Sequence, residues 1–241
     1  MATFVLVPAA RCGGWCWAKV APLLQSAGHK VYAPTPTGLG DRVHLAQPGI
    51  DLATHVTDVV NALNFEDLMD VTLVGWSYGG MIITGVADCV PDRIAGLVYL
   101  DAIVPRAGQS VYDAVEDDGT IRANYQERIE TGGTPGFLPF RAAGIEAQIP
   151  DDASCAWTLA RMVPHPIATF EQPIQLDNPA AARLPRAYIR CTEGRDPAEP
   201  DPAFLTRARS DRAWRFCEVA ANHLAPISAP RETAEALLNL L

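Results

Sequence analysis

Apolar residues along the chain alternate between short β-branched runs and longer stretches with helical spacing. Six runs are predicted strands: TFVLVP (3–8), HKVYAPT (29–35), VTLVGW (71–76), IAGLVYLDA (94–102), RAYIRCT (186–192) and AWRFCEVA (213–220). Apolar residues three and four apart predict helices over 16–28, 51–65, 79–90, 200–209 and 230–241. Strands that alternate with helices predict an α/β fold, with a mostly parallel six-stranded sheet covered by helices on both faces.

This alternation stops after Pro105. Residues 106–180 are polar, irregularly helical and interrupted by Pro and Gly. A segment of that length is too long for a loop in a compact domain. We therefore predict a core formed by residues 1–105 and 181–241, with residues 106–180 inserted as a helical cap.

Composition narrows the range of functions. Hydrophobic residues make up 49% of the chain and charged residues 20%, which is typical of a globular protein. The net charge is −9 and no basic run occurs, so we expect no nucleic-acid partner. No apolar run reaches the roughly 18–20 residues of a membrane span, and the N-terminus MATFVLVPAA is typical of a strand rather than a signal peptide.

The cysteines and histidines indicate neither a disulfide framework nor a metal site. Six cysteines are scattered without CxxC spacing, which is typical of reduced thiols and predicts a cytoplasmic protein. No cluster of His and carboxylate residues has the spacing of metal ligands, so we expect no metal and no cofactor. The sequence allows a homodimer.

The stretch GWSYG (75–79) indicates a catalytic serine. It matches G-x-S-x-G between a predicted strand and a predicted helix, where a strained turn exposes the serine hydroxyl. Gly75 and Gly79 provide the space that such a turn requires. The N-terminus of the following helix favours an anion, and the Tyr78 amide can donate to a developing oxyanion. Ser77 is therefore the predicted nucleophile.

A serine nucleophile requires a base and an acid. His223 follows the last predicted strand, at the carboxyl edge of the sheet, and fits the chain order Ser–acid–His as the base. Three carboxylates compete for the acid: Asp196 after the fifth strand, Asp101 after the fourth, and Glu193. The sequence favours Asp196, because its strand is adjacent in sequence to the strand that carries the base.

The remaining site residues are predicted from loops and from the cap. The second oxyanion donor is expected in the loop PAARCGGW (8–15), with the amide of Ala10 favoured over those of Ala9 and Arg11. The predicted substrate-binding residues are Arg11, Trp76, Trp157, Met162 and Phe170, with Phe137 and Phe140 as further apolar lining. The alternative for the cap residues is that several only pack the cap against the sheet.

With these motifs in place, the chain resembles α/β-hydrolases. It resembles most the group of plant hydroxynitrile lyases, plant methyl esterases and bacterial carboxylesterases, including pyrethroid-hydrolysing enzymes. The segments that carry the resemblance are FVLVPAARCGGWCW, LVGWSYGGMII, LVYLDAIVP, PHPIATFEQPI and NHLAPISAPRETAEALL. The resemblance implies a six-stranded α/β-hydrolase sheet, an acid after the penultimate strand and an oxyanion amide at Ala10.

Departures from this group affect the pocket and the choice of reaction. Trp76 stands where relatives usually have histidine in the serine motif. Lyases of the group use a lysine after the base and a hydroxyl in the first loop, where this chain has Leu224 and Ala9. We therefore predict a serine carboxylesterase that hydrolyses small to medium apolar esters through an acyl-enzyme. The alternatives are a hydroxynitrile lyase or lactonase with the same triad, a cofactor-free oxygenase, and a slow-turnover receptor-like binding protein.

Overall fold

A computed structural model describes residues 1–149, 151–194 and 201–240, and a parallel sheet lies at its centre. The strands are β1 (Thr3–Val7), β2 (Lys30–Tyr32), β3 (Val71–Trp76), β4 (Ile94–Leu100), β5 (Phe137–Leu138), β6 (His165–Pro166), β7 (Arg186–Cys191) and β8 (Trp214–Val219). Six of them form the sheet in the order β2-β1-β3-β4-β7-β8, and every pairing is parallel. The predicted six-stranded parallel sheet is confirmed, whereas β5 and β6 form a separate antiparallel pair.

Helices connect the strands and cover the sheet. They are α1 (Ala21–Ser26), α2 (Leu52–Phe65), α3 (Gly79–Cys89), α4 (Val111–Ala114), α5 (Thr120–Gly132), α6 (Ala142–Glu146), α7 (Asp152–Leu159), α8 (Ala168–Glu171), α9 (Ala203–Ser210), α10 (Ala225–Ser228) and α11 (Pro230–Leu238). The first helix is shorter than predicted. A 3₁₀ turn over Gly14–Trp17 precedes α1, and Pro22 lies in the first turn of α1, where a missing N–H costs no helical hydrogen bond.

The sheet is buried on both faces, as its near-continuous apolar strands require. Leu73 belongs to a buried cluster with Val59 of α2, whereas the next residue, Val74, belongs to the opposite cluster with Leu24 of α1. The alternation of side chains along β3 thus separates two helical layers. In the described residues, every helix is too short or too polar to cross a bilayer.

Residues 106–180, called here the cap segment, contain α4 to α8 and the β5–β6 pair. The two ends of this segment are joined by backbone hydrogen bonds. The Gly108 N–H donates to the Ile174 carbonyl at 2.8 Å, and the Ile174 N–H donates to the Gln109 carbonyl at 2.9 Å. The cap segment therefore leaves the core and returns to it at nearly the same place. The division of the chain into a core and a cap domain stays a prediction.

Candidate active site

A tight turn between β3 and α3 presents Ser77. Its φ is +55°, a left-handed conformation that is uncommon for a residue other than glycine. A Cβ at Gly75 would lie 2.5 Å from the carbonyl oxygen of Gly79, so the turn closes only with glycine there. The Ser77 N–H donates to the Leu100 carbonyl at 3.2 Å, and the Ser77 carbonyl accepts from Ile103 at 3.1 Å. These bonds fix the serine to the end of β4.

His223 lies between Ser77 and Asp101. Its Nε2 is 2.9 Å from Ser77 Oγ, and its Nδ1 is 2.6 Å from Asp101 Oδ2. Since a carboxylate only accepts hydrogen bonds, Nδ1 carries the proton and Nε2 is left to accept from the serine hydroxyl. The Asp101 side chain has no exposed surface, and its Oδ1 accepts from the Cys191 N–H at 3.3 Å. This geometry is suited to removing the proton from Ser77.

Among the described residues, the carboxylate that contacts His223 is Asp101, the second of the predicted acids, and the favoured Asp196 stays a prediction. Asp196 lies outside the described residues, and Glu193, the third candidate, is exposed. Asp101 directly follows β4, which lies beside β3, the strand that leads to Ser77. The strand adjacent in sequence to the base is thus not the strand nearest to the serine.

Trp76 is hydrogen-bonded to the backbone of His223. Its indole N–H donates to the His223 carbonyl at 2.8 Å, and the two ring centroids are 6.0 Å apart. The Trp76 side chain is almost completely buried. Trp76 therefore connects the end of β3 to the loop that carries the imidazole, in addition to lining the cavity described below.

Two amides remain the predicted oxyanion donors. Within the described chain, the N–H groups of Tyr78 and Ala10 have no protein acceptor. The Arg11 N–H donates to His165 Nδ1 at 3.1 Å, which removes one of the two alternatives to Ala10. Ala9, the other alternative, is buried.

His165 is a residue whose role the sequence did not reveal. Its Nδ1 accepts from Arg11, so its proton lies on Nε2, which donates to Thr169 Oγ1 at 2.9 Å. The Thr169 hydroxyl in turn donates to the Pro166 carbonyl at 2.8 Å. Burial lowers the pKa of His165 well below its ordinary value, so the ring is neutral and remains an acceptor. The cap segment thereby holds the loop that follows β1.

A second buried histidine anchors the side chain of Tyr78. His55 Nε2 donates to the Thr37 carbonyl at 2.9 Å, so its Nδ1 accepts from the Tyr78 hydroxyl at 3.0 Å. Burial lowers the pKa of His55 to about 4. The tyrosine ring also packs edge-on against His165, at a centroid distance of 5.0 Å. These contacts hold the residue that follows the nucleophile, and therefore its amide.

A cavity of about 260 Å³ opens beside Ser77 and His223. Three of the predicted substrate-binding residues, Arg11, Trp76 and Met162, line it. Core and cap segment both contribute to the lining, since Met162 belongs to the cap segment. The side chains that surround the cavity therefore come from both parts of the chain.

Trp157 and Phe170 were expected to line the pocket and lie elsewhere. The Trp157 ring packs edge-on against Trp15 at a centroid distance of 5.2 Å. The Phe170 ring is buried against Tyr78, at 5.4 Å. Both pack the cap segment against the core, as the alternative in the sequence analysis allowed. Of the two further apolar candidates, Phe140 lines the cavity and Phe137 is buried in β5.

The comparison with protein families identifies the fold. Residues 4–236 match the model described as the alpha/beta hydrolase family. The chain belongs to this family. An alpha/beta hydrolase of known structure, an extracellular enzyme from a Paenibacillus species, has a TM-score of 0.85 and 24% identity, with 99% of this chain and 98% of that chain covered.

Two relatives of this alpha/beta hydrolase that match over nearly the whole chain are named as esterases. It is 37% identical to the carbendazim hydrolyzing esterase of Nocardioides sp. (strain SG-4G), over 100% of both chains. It is 26% identical to the polyneuridine aldehyde esterase of Rauvolfia serpentina, over 98% of this chain and 94% of that enzyme. The predicted resemblance to bacterial and plant esterases is confirmed, and so is the enzyme class, an esterase of the alpha/beta hydrolase family.

Proposed function

We propose that this alpha/beta hydrolase is a serine carboxylesterase in which Ser77, His223 and Asp101 form the catalytic triad. The observation that carries the proposal is the single imidazole that lies 2.9 Å from the serine hydroxyl and 2.6 Å from a buried carboxylate. The left-handed turn at Ser77 supports it, because the strained conformation has no evident purpose in the core.

In the first half of the reaction, His223 Nε2 takes the proton as Ser77 Oγ attacks the ester carbonyl carbon. The negative charge on the carbonyl oxygen is held by the N–H groups of Tyr78 and Ala10, each typically worth about 3–4 kcal/mol. His223 then gives its proton to the leaving alkoxide as the C–O bond breaks. In the second half, His223 deprotonates a water that attacks the acyl-enzyme, and Ser77 leaves as the hydroxyl.

The cavity supports a small ester with an apolar part. Its volume of about 260 Å³ is below the roughly 300–1,000 Å³ typical of pockets for drug-sized ligands. Phe140, Ile145 and Met162 give the lining apolar surface. The relative named for carbendazim hydrolysis makes carbendazim a further candidate substrate. Cyanohydrins and lactones belong in the same panel, because a lyase or a lactonase would use the same triad.

The test combines covalent labelling with turnover. A fluorophosphonate probe should add one label per chain, on the peptide that contains Ser77. Ser77→Ala should abolish labelling and lower the turnover of 4-nitrophenyl esters by about four orders of magnitude or more. Ser210→Ala is the matched control, because Ser210 is exposed and its hydroxyl donates only to the Arg207 carbonyl in the described residues. A Ser77→Ala protein with near-native turnover would refute the proposal.

A further inference from the structure

The cavity beside Ser77 is lined by three arginines. Arg11 comes from the loop after β1, Arg128 from α5, and Arg141 from the residue before α6. They are close enough for their charges to interact: the pKa of Arg128 is lowered by burial and then by the charges of Arg11 and Arg141. Three cations thus meet at the active site of a chain whose net charge is −9.

No carboxylate in the described residues neutralises these arginines. None of the three forms an ion pair with a described Asp or Glu. The described lining of the cavity contains no Asp or Glu. Asp101, the carboxylate of the proposed triad, has no exposed side-chain surface and is hydrogen-bonded to His223. The acidic residues that the structure describes therefore leave this positive region without an ion-pair partner.

Some hydrogen-bond donors of these arginines also lack acceptors in the described residues. The buried Nε of Arg11 has no hydrogen-bond partner among the described residues. Arg128 donates from Nη2 to the Pro139 carbonyl, and its guanidinium lies 5.4 Å from the centre of the Tyr125 ring. A buried donor without an acceptor is unfavourable, and a cation without a counter-ion more so. A ligand that brings an anion into the cavity would supply the missing counter-ion.

The backbone of Arg11 is held in place for such a role. Its φ is +68°, its N–H donates to His165 Nδ1, and its carbonyl accepts from Val163 at 3.2 Å. Arg11 directly follows Ala10, whose amide is a predicted oxyanion donor. The backbone that carries the Arg11 guanidinium is therefore fixed one residue after the predicted oxyanion donor.

We propose that the substrate is an anionic ester: an apolar body with the scissile ester at one end and an ionised carboxylate that Arg11 and Arg128 bind. Arg141, which is exposed, adds positive charge at the rim. The proposal rests on the proposed esterase function and specifies its substrate class. It refines the expectation of small to medium apolar esters, because the apolar side chains of the lining share the cavity with these cations.

The test compares three 4-nitrophenyl esters of equal chain length: the hydrogen adipate, the hexanoate and the 6-(trimethylammonio)hexanoate. After correction for spontaneous hydrolysis, kcat/KM should be at least about tenfold higher for the adipate than for the hexanoate, since a charge-assisted hydrogen bond is typically worth about tenfold or more. The cationic ester should be the poorest substrate. Raising the salt concentration should lower kcat/KM for the adipate and leave that for the hexanoate unchanged.

Variants locate the effect. Arg128→Gln should lower kcat/KM for the adipate about tenfold and change that for the hexanoate by less than about threefold, and Arg128→Lys should restore part of the loss. Arg122→Gln is the matched control, because Arg122 lies on the same helix and stacks on Tyr112 at 4.5 Å, outside the cavity lining. Equal rates for adipate and hexanoate in the natural protein would overturn the proposal. A proportional loss on both esters in Arg128→Gln would overturn it as well.

A binding measurement separates this proposal from the proposed function. Monoethyl adipate should bind the Ser77→Ala protein at least about tenfold more tightly than ethyl hexanoate in calorimetry, whatever the turnover of the natural protein. Tight binding without turnover would support the anionic ligand and refute the esterase assignment. Turnover of neutral esters together with equal binding of both ligands would support the esterase assignment and refute the anionic substrate.

Discussion

Asp101→Asn is the change that most directly tests how the base is oriented. The asparagine has nearly the same shape and can still accept from Cys191, as Asp101 Oδ1 does at 3.3 Å. What it lacks is the negative charge beside His223 Nδ1. An amide N–H that faced Nδ1 would also move the ring proton to Nε2, and Nε2 could then no longer accept from Ser77.

The magnitude follows from the 2.6 Å distance between His223 Nδ1 and Asp101 Oδ2. The attraction between a carboxylate and an imidazolium at that distance is about 6 kcal/mol for an effective dielectric constant of about 20. The His223 side chain is 42% exposed, so water reduces this attraction. A loss of about 4 kcal/mol in transition-state stabilisation corresponds to roughly a thousandfold in kcat. With the tautomer effect added, we expect a fall of about 10³–10⁴.

The assay is the hydrolysis of a 4-nitrophenyl ester at pH 7.5, with the Asp196→Asn variant measured in parallel. Asp101→Asn should lower kcat with little change in KM, because the charge acts when the imidazolium forms. Thermal unfolding of each variant shows whether the fold is retained. The reasoning would be refuted if folded Asp101→Asn kept near-native kcat while Asp196→Asn lost it.

Two further predictions follow from groups around the triad. Trp76→Phe removes the donor to the His223 carbonyl, so the imidazole should be misplaced and kcat should fall about tenfold. Fluorophosphonate labelling of Ser77 should become slower but still occur. An unchanged kcat would contradict this role of Trp76. The pKa of His55 is near its ordinary 6.5 in the unfolded chain and about 4 in the folded one, so the unfolded state binds the proton first as the pH falls. Protonation of His55 should therefore lower the free energy of unfolding by about 2–3 kcal/mol between pH 7 and pH 4.5, and this loss is absent above about pH 6.5. In urea titrations, His55→Gln should remove this part of the pH dependence. An identical pH dependence in the variant and the natural protein would contradict the assignment.

The proposed nucleophile and base could be predicted from the sequence because each depends on local context. Ser77 lies in a five-residue motif between a strand and a helix, and His223 follows the last strand. Strand existence and order along the chain suffice to place both at one edge of the sheet. The same information predicted the six parallel strands.

The acid and the pocket depend on information that the linear pattern lacks. The choice between Asp101 and Asp196 depends on the path of the loops after β4 and β7, because β3, β4, β7 and β8 follow one another in the sheet as they do along the chain. Hydrophobicity predicts that Trp157 and Phe170 pack against other side chains, and it does not show which side chains these are. The hydrogen bond between Arg11 and His165 joins residues 154 positions apart, and no periodic pattern in either segment indicates it.

That same hydrogen bond constrains how this enzyme can be recombined with its relatives. His165 and Val163 of the cap segment hold Arg11 from both sides, through its N–H and through its carbonyl. A chimera whose foreign cap segment lacked a histidine at position 165 would leave the Arg11 amide unpaired and release the loop next to Ala10. Grafting such a cap segment would therefore require the stretch after the first strand to be transplanted with it.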